Sequence, residues 1–389
     1  MIDLDLIQRA LVERNIEGWL LYDFRGSNPL ALDLLQIPKD TLLTRRFFYW
    51  IPATGKPVKV ASRVENPLHS LPGSEERFGS WKELEQILGK LLKNKTQIAM
   101  EYSPKGLVPE ISRVDAGTVD FVRSFGCEVV SSGDLLQLLS SRIEGEALAS
   151  HFRAATALDE IAGMAFEFIG KKLDSGVTEW DVRQLILSEM QKRGMMTDHP
   201  PICAVNAHSA DPHFEPQEGG RAMEKGDFVL IDLWCKEKAP GSIYADITRV
   251  ASIGKPTDRQ REVFSIVKQA QDAALSYVRE EYQKGRKLRG CDVDAVCRKV
   301  IDQAGYGEYF VHRTGHNIHE RDHGPGAHID SFETQDEREL LPSTCFSIEP
   351  GIYLPGEFGV RLEFDVFLDP AGQAVVTGGS QDNINEISF

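Results

Sequence analysis

Four carboxylates in this sequence stand within otherwise apolar, strand-like runs. Asp232 ends the run FVLID and Asp246 lies in YADITRV, whereas Glu349 follows CFSI and Glu363 lies in VRLEFDV. A buried carboxylate without a partner is costly and usually becomes protonated, so four such positions predict a compensating cation. Four separate buried salt bridges are the alternative, but the sequence shows no clear surplus of apolar-flanked lysine or arginine.

Histidines are concentrated in one later segment. Nine of the ten histidines follow residue 150, and five of them lie between positions 312 and 328 in HRTGHNIHERDHGPGAH. His316 in this segment offers a nitrogen ligand, although a solvated histidine-rich loop is the plain alternative. Four carboxylates and an imidazole suit two divalent ions such as Mn, Co, Fe or Zn. Two ions roughly 3.5–4 Å apart lower the pKa of a bridging water and stabilise a tetrahedral intermediate, which predicts metal-assisted amide hydrolysis.

The segments that carry these residues predict an α+β arrangement. Helical periodicity covers Glu144–Lys172, Thr178–Arg193 and Thr257–Lys284. Runs rich in β-branched and aromatic residues predict strands over Phe228–Leu233, Ile243–Val250, Cys345–Glu349 and Val360–Phe367. Because the helices cluster apart from hairpin-like strands, an α+β layer is favoured over a parallel sheet built from alternating units.

The first 140 residues predict a separate α/β domain. Ile16–Tyr22 and Ile98–Glu101 have the composition of buried strands, and Ser80–Leu92 has the pattern of a helix that begins with a capping box of Ser80 and Glu83. A chain of 389 residues exceeds the roughly 250–300 residues at which one core stops growing. We therefore expect two domains, residues 1–140 and residues 141–389.

Composition excludes several classes of protein. Hydrophobic residues make up 41% and charged residues 26%, as in ordinary globular chains. The net charge of −15 repels phosphate backbones and anionic lipid, so neither nucleic acid nor a membrane surface is an expected partner. The sequence has no apolar run long enough to span a membrane, and its six cysteines include no CxxC pair. These features predict a cytoplasmic protein whose thiols are buried and do not bind metal.

The order of the candidate ligands resembles that of a known family. Asp, Asp, His, Glu and Glu occur in LIDLW, YADITRV, HRTGH, SIEPGIY and GVRLEF, which is similar to the creatinase, prolidase and aminopeptidase P family of pita-bread metallohydrolases. The resemblance covers about Ile143 to Phe389 and implies a pita-bread catalytic domain over residues 141–389. The preceding α/β segment, residues 1–140, resembles in length and pattern the smaller amino-terminal domain of these enzymes.

The resemblance assigns roles to the five ligands. Asp232 would hold one metal, and Asp246 and Glu363 would bridge both. His316 and Glu349 would hold the second metal, and Glu349 would also take the proton of the attacking water, a role that suits a carboxylate beside a metal-bound hydroxide.

Further residues match family positions near the substrate. His213 corresponds to a substrate-side histidine, and His312 and His323 to the pair that contacts the scissile carbonyl; loop histidines are the plain alternative. Arg361 would orient the bridging carboxylate or the substrate and shares the strand face of Glu363 if side chains alternate. Tyr353 would line the same pocket, with simple packing as the alternative.

The sequence departs from the family pattern around the pocket. Asp232 and Asp246 are 14 positions apart, so the hairpin between them carries an insertion with Pro240 and Gly241 as its turn. Trp234 and His319 stand where the family tends to have glycine. An indole and an extra imidazole near the metals predict a reshaped substrate pocket.

Together these features predict a dinuclear metal-dependent hydrolase that acts on short proline-containing peptides. A metal-bridging hydroxide would cleave the bond before proline, as in Xaa-Pro dipeptidases and aminopeptidases, with Mn the first candidate metal. The resemblance also implies a homodimer. Two alternatives stay open, namely a family member that acts on another small substrate as an amidohydrolase or lyase, and a catalytically silent binding protein. Retention of all five ligands counts against the silent protein.

Overall fold

The computed structural model describes residues 2–389, and the chain forms two units, Met1–Leu139 and Ser140–Phe389. The first unit contains one six-stranded sheet of order β4-β3-β2-β1-β5-β6 and five α-helices. Its strands are β1 (Gly18–Asp23), β2 (Phe47–Pro52), β3 (Val58–Ser62), β4 (Ser74–Phe78), β5 (Gln97–Met100) and β6 (Glu128–Ser131). Its helices are α1 (Leu4–Glu13), α2 (Pro29–Leu34), α3 (Trp81–Leu91), α4 (Ala116–Arg123) and α5 (Gly133–Ser140).

The start of α3 differs in one detail from the prediction. Ser80 is the N-cap, and its side chain accepts a hydrogen bond from the Glu83 backbone. The Glu83 carboxylate accepts from the Gly79 backbone at 2.7 Å instead of from the N-cap residue. The helix therefore begins where predicted, but only half of the capping box forms as expected.

The second unit combines four long helices with sheets that are antiparallel except where β10 (Ala245–Ile253) pairs with β17 (Asn385–Ile387). The helices are α6 (Gly145–Lys172), α7 (Glu179–Lys192), α8 (Asp258–Gln283) and α9 (Gly290–Gln303). The strands are β7 (Met195–Met196), β8 (Ile202–Val205), β9 (Phe228–Glu237), β10 (Ala245–Ile253), β11 (Asn317–Ile318), β12 (Cys345–Ile348), β13 (Gly351–Leu354), β14 (Phe358–Arg361), β15 (Phe364–Asp369), β16 (Gln373–Thr377) and β17 (Asn385–Ile387). This mixture of helix and sheet confirms the predicted α+β class.

Local sequence explains where the long helices begin. Thr178 and Thr257 cap α7 and α8. In both helices the side chain of the third residue accepts a hydrogen bond from the backbone N–H of the cap residue. Such reciprocal caps satisfy two backbone N–H groups that would otherwise lack partners. The helix α6 buries its alanine-rich face with Leu158 and Ile161, and packs against β9 and β10.

The hairpin β9–β10 forms the base of the candidate site. Its turn contains Pro240 and Gly241, with Gly241 at φ +79°, a left-handed conformation that favours glycine. The turn lies where the sequence placed the insertion. The register at the base stays regular from Phe228 to Cys235.

The strand predicted over Val360–Phe367 is wrong as a single element. The chain leaves β14 at Arg361, and residues 362 and 363 lie outside any strand before β15 begins at Phe364. β14 pairs with β13, whereas β15 pairs with β12 and β16. The break lets the chain change sheets, and the Glu363 backbone instead donates to the Thr248 carbonyl at 3.4 Å.

Two whole-chain features complete the fold. All six cysteines are buried and unpaired. None of the helices within residues 2–389 combines the length and apolar character that crossing a bilayer requires.

Candidate metal centre

The register of β9 and β10 brings two predicted ligands to one face of the hairpin. Asp232 lies opposite Thr248, and Trp234 lies opposite Asp246. Directly opposed residues share a face, as do residues two apart along a strand. Asp232 and Asp246 are therefore diagonal neighbours and both line the same cavity.

The remaining predicted ligands converge on this face. One donor atom each from Asp246, His316 and Glu363 lies within 4.8 Å of the others. His316 Nε2 is 3.4 Å from Glu349 Oε1 and 3.8 Å from Asp246 Oδ2. Four of the five predicted ligands thus surround a space of the size that metal coordination requires.

The fifth ligand, Asp232, is held at the edge of this group by Arg361. The Arg361 guanidinium donates to Asp232 Oδ2 at 2.5 Å, to the Tyr353 hydroxyl at 2.7 Å and to Thr248 Oγ1 at 3.2 Å. This side chain is 3% exposed. It neutralises one carboxylate while leaving Asp232 Oδ1 free for another partner.

Unpartnered oxygens provide the test of whether the site fits metal ions. Asp232 Oδ1, Asp246 Oδ1 and Glu363 Oε1 are buried and have no hydrogen-bond partner within the described chain. Buried polar atoms are nearly always satisfied, so three orphaned carboxylate oxygens in one cluster indicate a missing cation. Carboxylate and imidazole donors also suit first-row divalent ions. The residues present fit the two metal ions that the sequence predicts.

The pKa values of these groups reflect the same crowding of negative charges. Burial and the negative charge of Glu363 raise the pKa of Asp246 well above its ordinary value. Burial also raises the pKa of Glu349 to about 7. The pKa of His316 falls well below its usual range because the ring is buried and faces His323. A neutral imidazole beside carboxylates that resist ionisation is poised to bind a cation in place of protons.

His312 is engaged by the protein at both ring nitrogens. Nδ1 is 2.7 Å from the Arg313 carbonyl, and Nε2 is 2.7 Å from the Tyr353 hydroxyl. Because Arg361 already donates to that hydroxyl, its hydrogen points to Nε2, and Nδ1 carries the ring proton. Burial, with the charge of Arg361, lowers the pKa of His312 to about 3. In this arrangement His312 and Tyr353 support Arg361, and a contact of His312 with substrate stays a prediction.

His323 and His213 lie at a cavity of about 600 Å³ that opens over the ligands. Both are exposed. Arg313 Nη2 lies 3.1 Å from His323 Nδ1 and donates to it, which leaves the proton of a neutral ring on Nε2. His323 can thus offer a hydrogen bond into the cavity.

The two departures from the family pattern have different surroundings. Trp234 lines the cavity, and its indole N–H donates to Asp198 Oδ1 at 2.9 Å. His319 does not lie among the lining residues; its backbone carbonyl accepts from Tyr244 at 3.0 Å. The indole is therefore placed to shape the pocket, whereas the expected proximity of His319 to the pocket stays a prediction.

Sequence reasoning missed three polar residues at the centre. Thr248 donates to Glu363 Oε2 at 2.7 Å, and Asp365 accepts from the Asp246 backbone at 2.9 Å. Asp322 is 9% exposed and lines the cavity. Thr248 and Asp365 each lie two positions after a predicted ligand, a spacing that could have identified them. Asp322 directly precedes His323, but an acidic residue in a loop gives no such signal.

Comparisons with known proteins agree with this geometry. The model of metallopeptidase family M24 matches residues 151–370. An Xaa-Pro dipeptidase of Lactobacillus delbrueckii subsp. lactis is 35% identical over 207 residues, and the match spans about half of each protein, 52% of both chains. An uncharacterized peptidase of Staphylococcus saprophyticus is 30% identical over 266 residues, which cover 67% of this chain and 69% of the relative.

Similarity to a solved structure extends over the whole chain. The dipeptidase PepE of Mycobacterium ulcerans has a TM-score of 0.65 and 25% sequence identity, with coverage of 99% of this chain and 97% of that chain. This likeness, together with other solved prolidase and aminopeptidase P structures, confirms the pita-bread fold predicted from the ligand order.

Proposed function

The chain belongs to metallopeptidase family M24, the creatinase and prolidase family, and we propose that it cleaves the peptide bond before proline in Xaa-Pro dipeptides or at the amino end of short peptides. The observation that carries this proposal is the convergence of Asp246, His316 and Glu363 beneath an open cavity, with unpartnered carboxylate oxygens. The Xaa-Pro dipeptidase relative supports the choice of bond.

In this proposal five side chains hold two divalent ions. Asp232 would hold one ion, His316 and Glu349 would hold the other, and Asp246 and Glu363 would contribute to both. When bound, the two ions supply Lewis acidity and lower the pKa of a water molecule enough to make it a nucleophile at neutral pH. Arg361 holds Asp232 in position through the 2.5 Å contact.

The chain's own groups perform the proton transfer and position the substrate. Glu349 would accept a proton from the attacking water, a role that suits a carboxylate beside the metal ions. His323 donates through Nε2 to the oxygen of the scissile carbonyl, where negative charge develops. His213 lines the same cavity and would contact the substrate.

Several finer assignments belong to the same proposal. Mn is the first candidate metal, with Co, Fe and Zn also suited to the donors. We propose a cytoplasmic homodimer in which residues 1–140 form the smaller domain. The six buried, unpaired thiols support a reducing compartment.

Release of free proline tests the proposal. Purified protein is stripped with chelator, reconstituted with Mn, and supplied with a panel of Xaa-Pro dipeptides and Xaa-Pro-Xaa tripeptides. We expect proline release from dipeptides, or release of the first residue from tripeptides, in the reconstituted protein only. If the protein holds two ions and cleaves none of these peptides, the alternative of another small substrate replaces the peptidase assignment.

A further inference from the structure

Asp322 is a carboxylate outside the predicted ligand set and lies between the strand β11 and His323. Its residue exposure is 9%, and it lines the cavity above the metal centre. One Asp322 oxygen, one His316 nitrogen and one His323 nitrogen lie within 4.8 Å of one another. This second donor group shares His316 with the group formed by Asp246 and Glu363.

The Asp322 carboxylate has an unsatisfied oxygen. Oδ1 is buried and has no hydrogen-bond partner among residues 2–389. Oδ2 is 3.6 Å from His323 Nε2, the nitrogen that carries the proton because Nδ1 accepts from Arg313. The protonated Nε2 has no lone pair for a metal, so His323 does not compete with Asp322 as a ligand.

Some other buried carboxylates of the chain have cationic partners that Asp322 lacks. Asp294 pairs with Arg298 at 2.8 Å, and Asp336 pairs with Arg338 at 2.6 Å. Within the described chain, no lysine or arginine forms an ion pair with Asp322, and the same holds for Asp246 and Glu363. Asp322 therefore shares the electrostatic condition of Asp246, Glu363 and Asp365, and a cation would offset the cost of burying it. Unlike Asp365, it belongs to a donor group that includes His316.

We propose that Asp322 is an additional ligand of the metal centre and binds the ion held by His316. This inference rests on the proposed metal assignment but not on the proposed substrate. The net charge of the site also fits two divalent cations. The four carboxylates assigned above and Asp322 carry five negative charges, and the Arg361 guanidinium cancels one of them. Two divalent cations neutralise the four that are left. A carboxylate oxygen is also a donor that each of the candidate ions accepts.

Metal titration of variants tests this assignment without a substrate. Apo protein is titrated with Mn²⁺ while free Mn²⁺ is followed by electron paramagnetic resonance, for wild type, Asp322→Asn and Asp198→Asn. Asp198 is the matched control because it lines the same cavity but accepts a hydrogen bond from the Trp234 indole and forms no part of either donor group. We expect Asp322→Asn to lower the affinity for one of the two ions by at least about tenfold, the scale on which changes around metal ligands act. Asp198→Asn should leave both affinities unchanged.

Cobalt absorption provides a second readout that does not depend on affinity. Co²⁺-loaded Asp322→Asn should absorb more strongly in the visible range than wild type, because loss of a ligand lowers the coordination number. Wild-type Mn²⁺ affinities and an unchanged Co²⁺ spectrum in Asp322→Asn would overturn the proposal. A raised KM for dipeptides with unchanged metal binding would also overturn it, and would place Asp322 against the substrate's amino group. Failure of wild type to cleave any peptide would count against the proposed function alone, because the titration does not involve a substrate.

Discussion

At the scale of single residues, the site depends on one buried cation that forms an ion pair with a carboxylate. Arg361 is the group that connects Asp232, Tyr353 and Thr248 through three hydrogen bonds. Removing one partner of a buried ion pair costs more than the pair contributes, because the other charge stays buried without compensation. Arg361 thus has a structural role in the metal-free protein as well as a place near the substrate.

Arg361→Met should lower the free energy of unfolding of the chelator-treated protein by about 3 kcal/mol, because Asp232 loses its partner. Urea denaturation measures this change. Arg153→Met is the control, since the Arg153 ion pairs with Glu146 and Glu237 lie at the surface; its stability should match that of wild type. Equal stability of Arg361→Met and wild type would contradict the ion-pair account.

Two further substitutions separate metal binding from turnover. Asp246→Asn removes a bridging donor and should abolish metal occupancy and turnover together. His323→Ala removes a hydrogen-bond donor at the cavity and should keep both ions while losing about 10²–10³ in kcat. Metal content after dialysis, measured beside proline release, distinguishes the two variants. Full activity in either one would refute the role given to that residue.

The sequence predicted the five ligands but not all of their partners. A carboxylate inside an apolar run can be recognised from the sequence alone, because the free-energy cost of burying it does not depend on which residue lies beside it. Asp322 and Arg313 act through contacts that loop folding alone creates, so their positions could not be read from local pattern. His312 shows the same limit, since its bonds to Tyr353 and Arg313 use the nitrogens that a substrate contact would need.

At the scale of elements, the break between β14 and β15 positions Glu363, the last of the proposed ligands. One strand over Val360–Phe367 was predicted because its residues are continuously β-prone, and only tertiary pairing reveals that the chain changes sheets at Glu363. The strands β9 and β10, by contrast, were predicted close to their observed positions. Their long apolar runs and the Pro240–Gly241 turn are local signals.

A close approach of β14 to the segment Asn206–Ala210 provides an element-level prediction. A Cβ at Gly359 would lie 2.0 Å from the Ser209 carbonyl oxygen and 2.8 Å from the Tyr353 ring. Gly359→Ala should therefore lower the free energy of unfolding by about 1–3 kcal/mol and reduce turnover, because Arg361 lies two residues further along β14.

Gly163→Ala is the matched control for that substitution. An added Cβ at Gly163 meets nothing within 4 Å on the exposed face of α6. Because alanine has a higher helix propensity than glycine, the substitution should raise the free energy of unfolding by up to about 1 kcal/mol. Thermal denaturation should place the two variants on opposite sides of wild type, and proline release should fall in Gly359→Ala alone. An equal response of the two variants would contradict the packing argument.

At the scale of the whole molecule, folding and metal binding are linked through protons. Burial raises the pKa of Glu349 to about 7 from an ordinary value of 4.5. Between these values the folded, metal-free protein binds more protons than the unfolded chain, so this group's contribution to stability falls as pH rises. Metal ions replace those protons, and the stabilisation by metal should therefore increase with pH across the same window.

Glu349→Gln isolates this contribution from that of the buried histidines, whose pKa values shift in the opposite direction. In chelator-treated protein the variant should gain stability over wild type as pH rises, and the gain should increase by on the order of 2 kcal/mol between pH 5 and 8. Urea denaturation at a series of pH values measures the difference. A difference independent of pH would mean that Glu349 is not held protonated by its surroundings.

The most direct measurement is a titration of metal-free protein with Mn²⁺ in which bound ions and hydrolysis of an Xaa-Pro dipeptide are recorded together. We expect no hydrolysis in the chelated protein and a rate that reaches its maximum as the second ion per chain binds. Full hydrolysis in the chelated protein, or a maximum rate with no ion bound to the wild type, would contradict the dinuclear metallopeptidase described here.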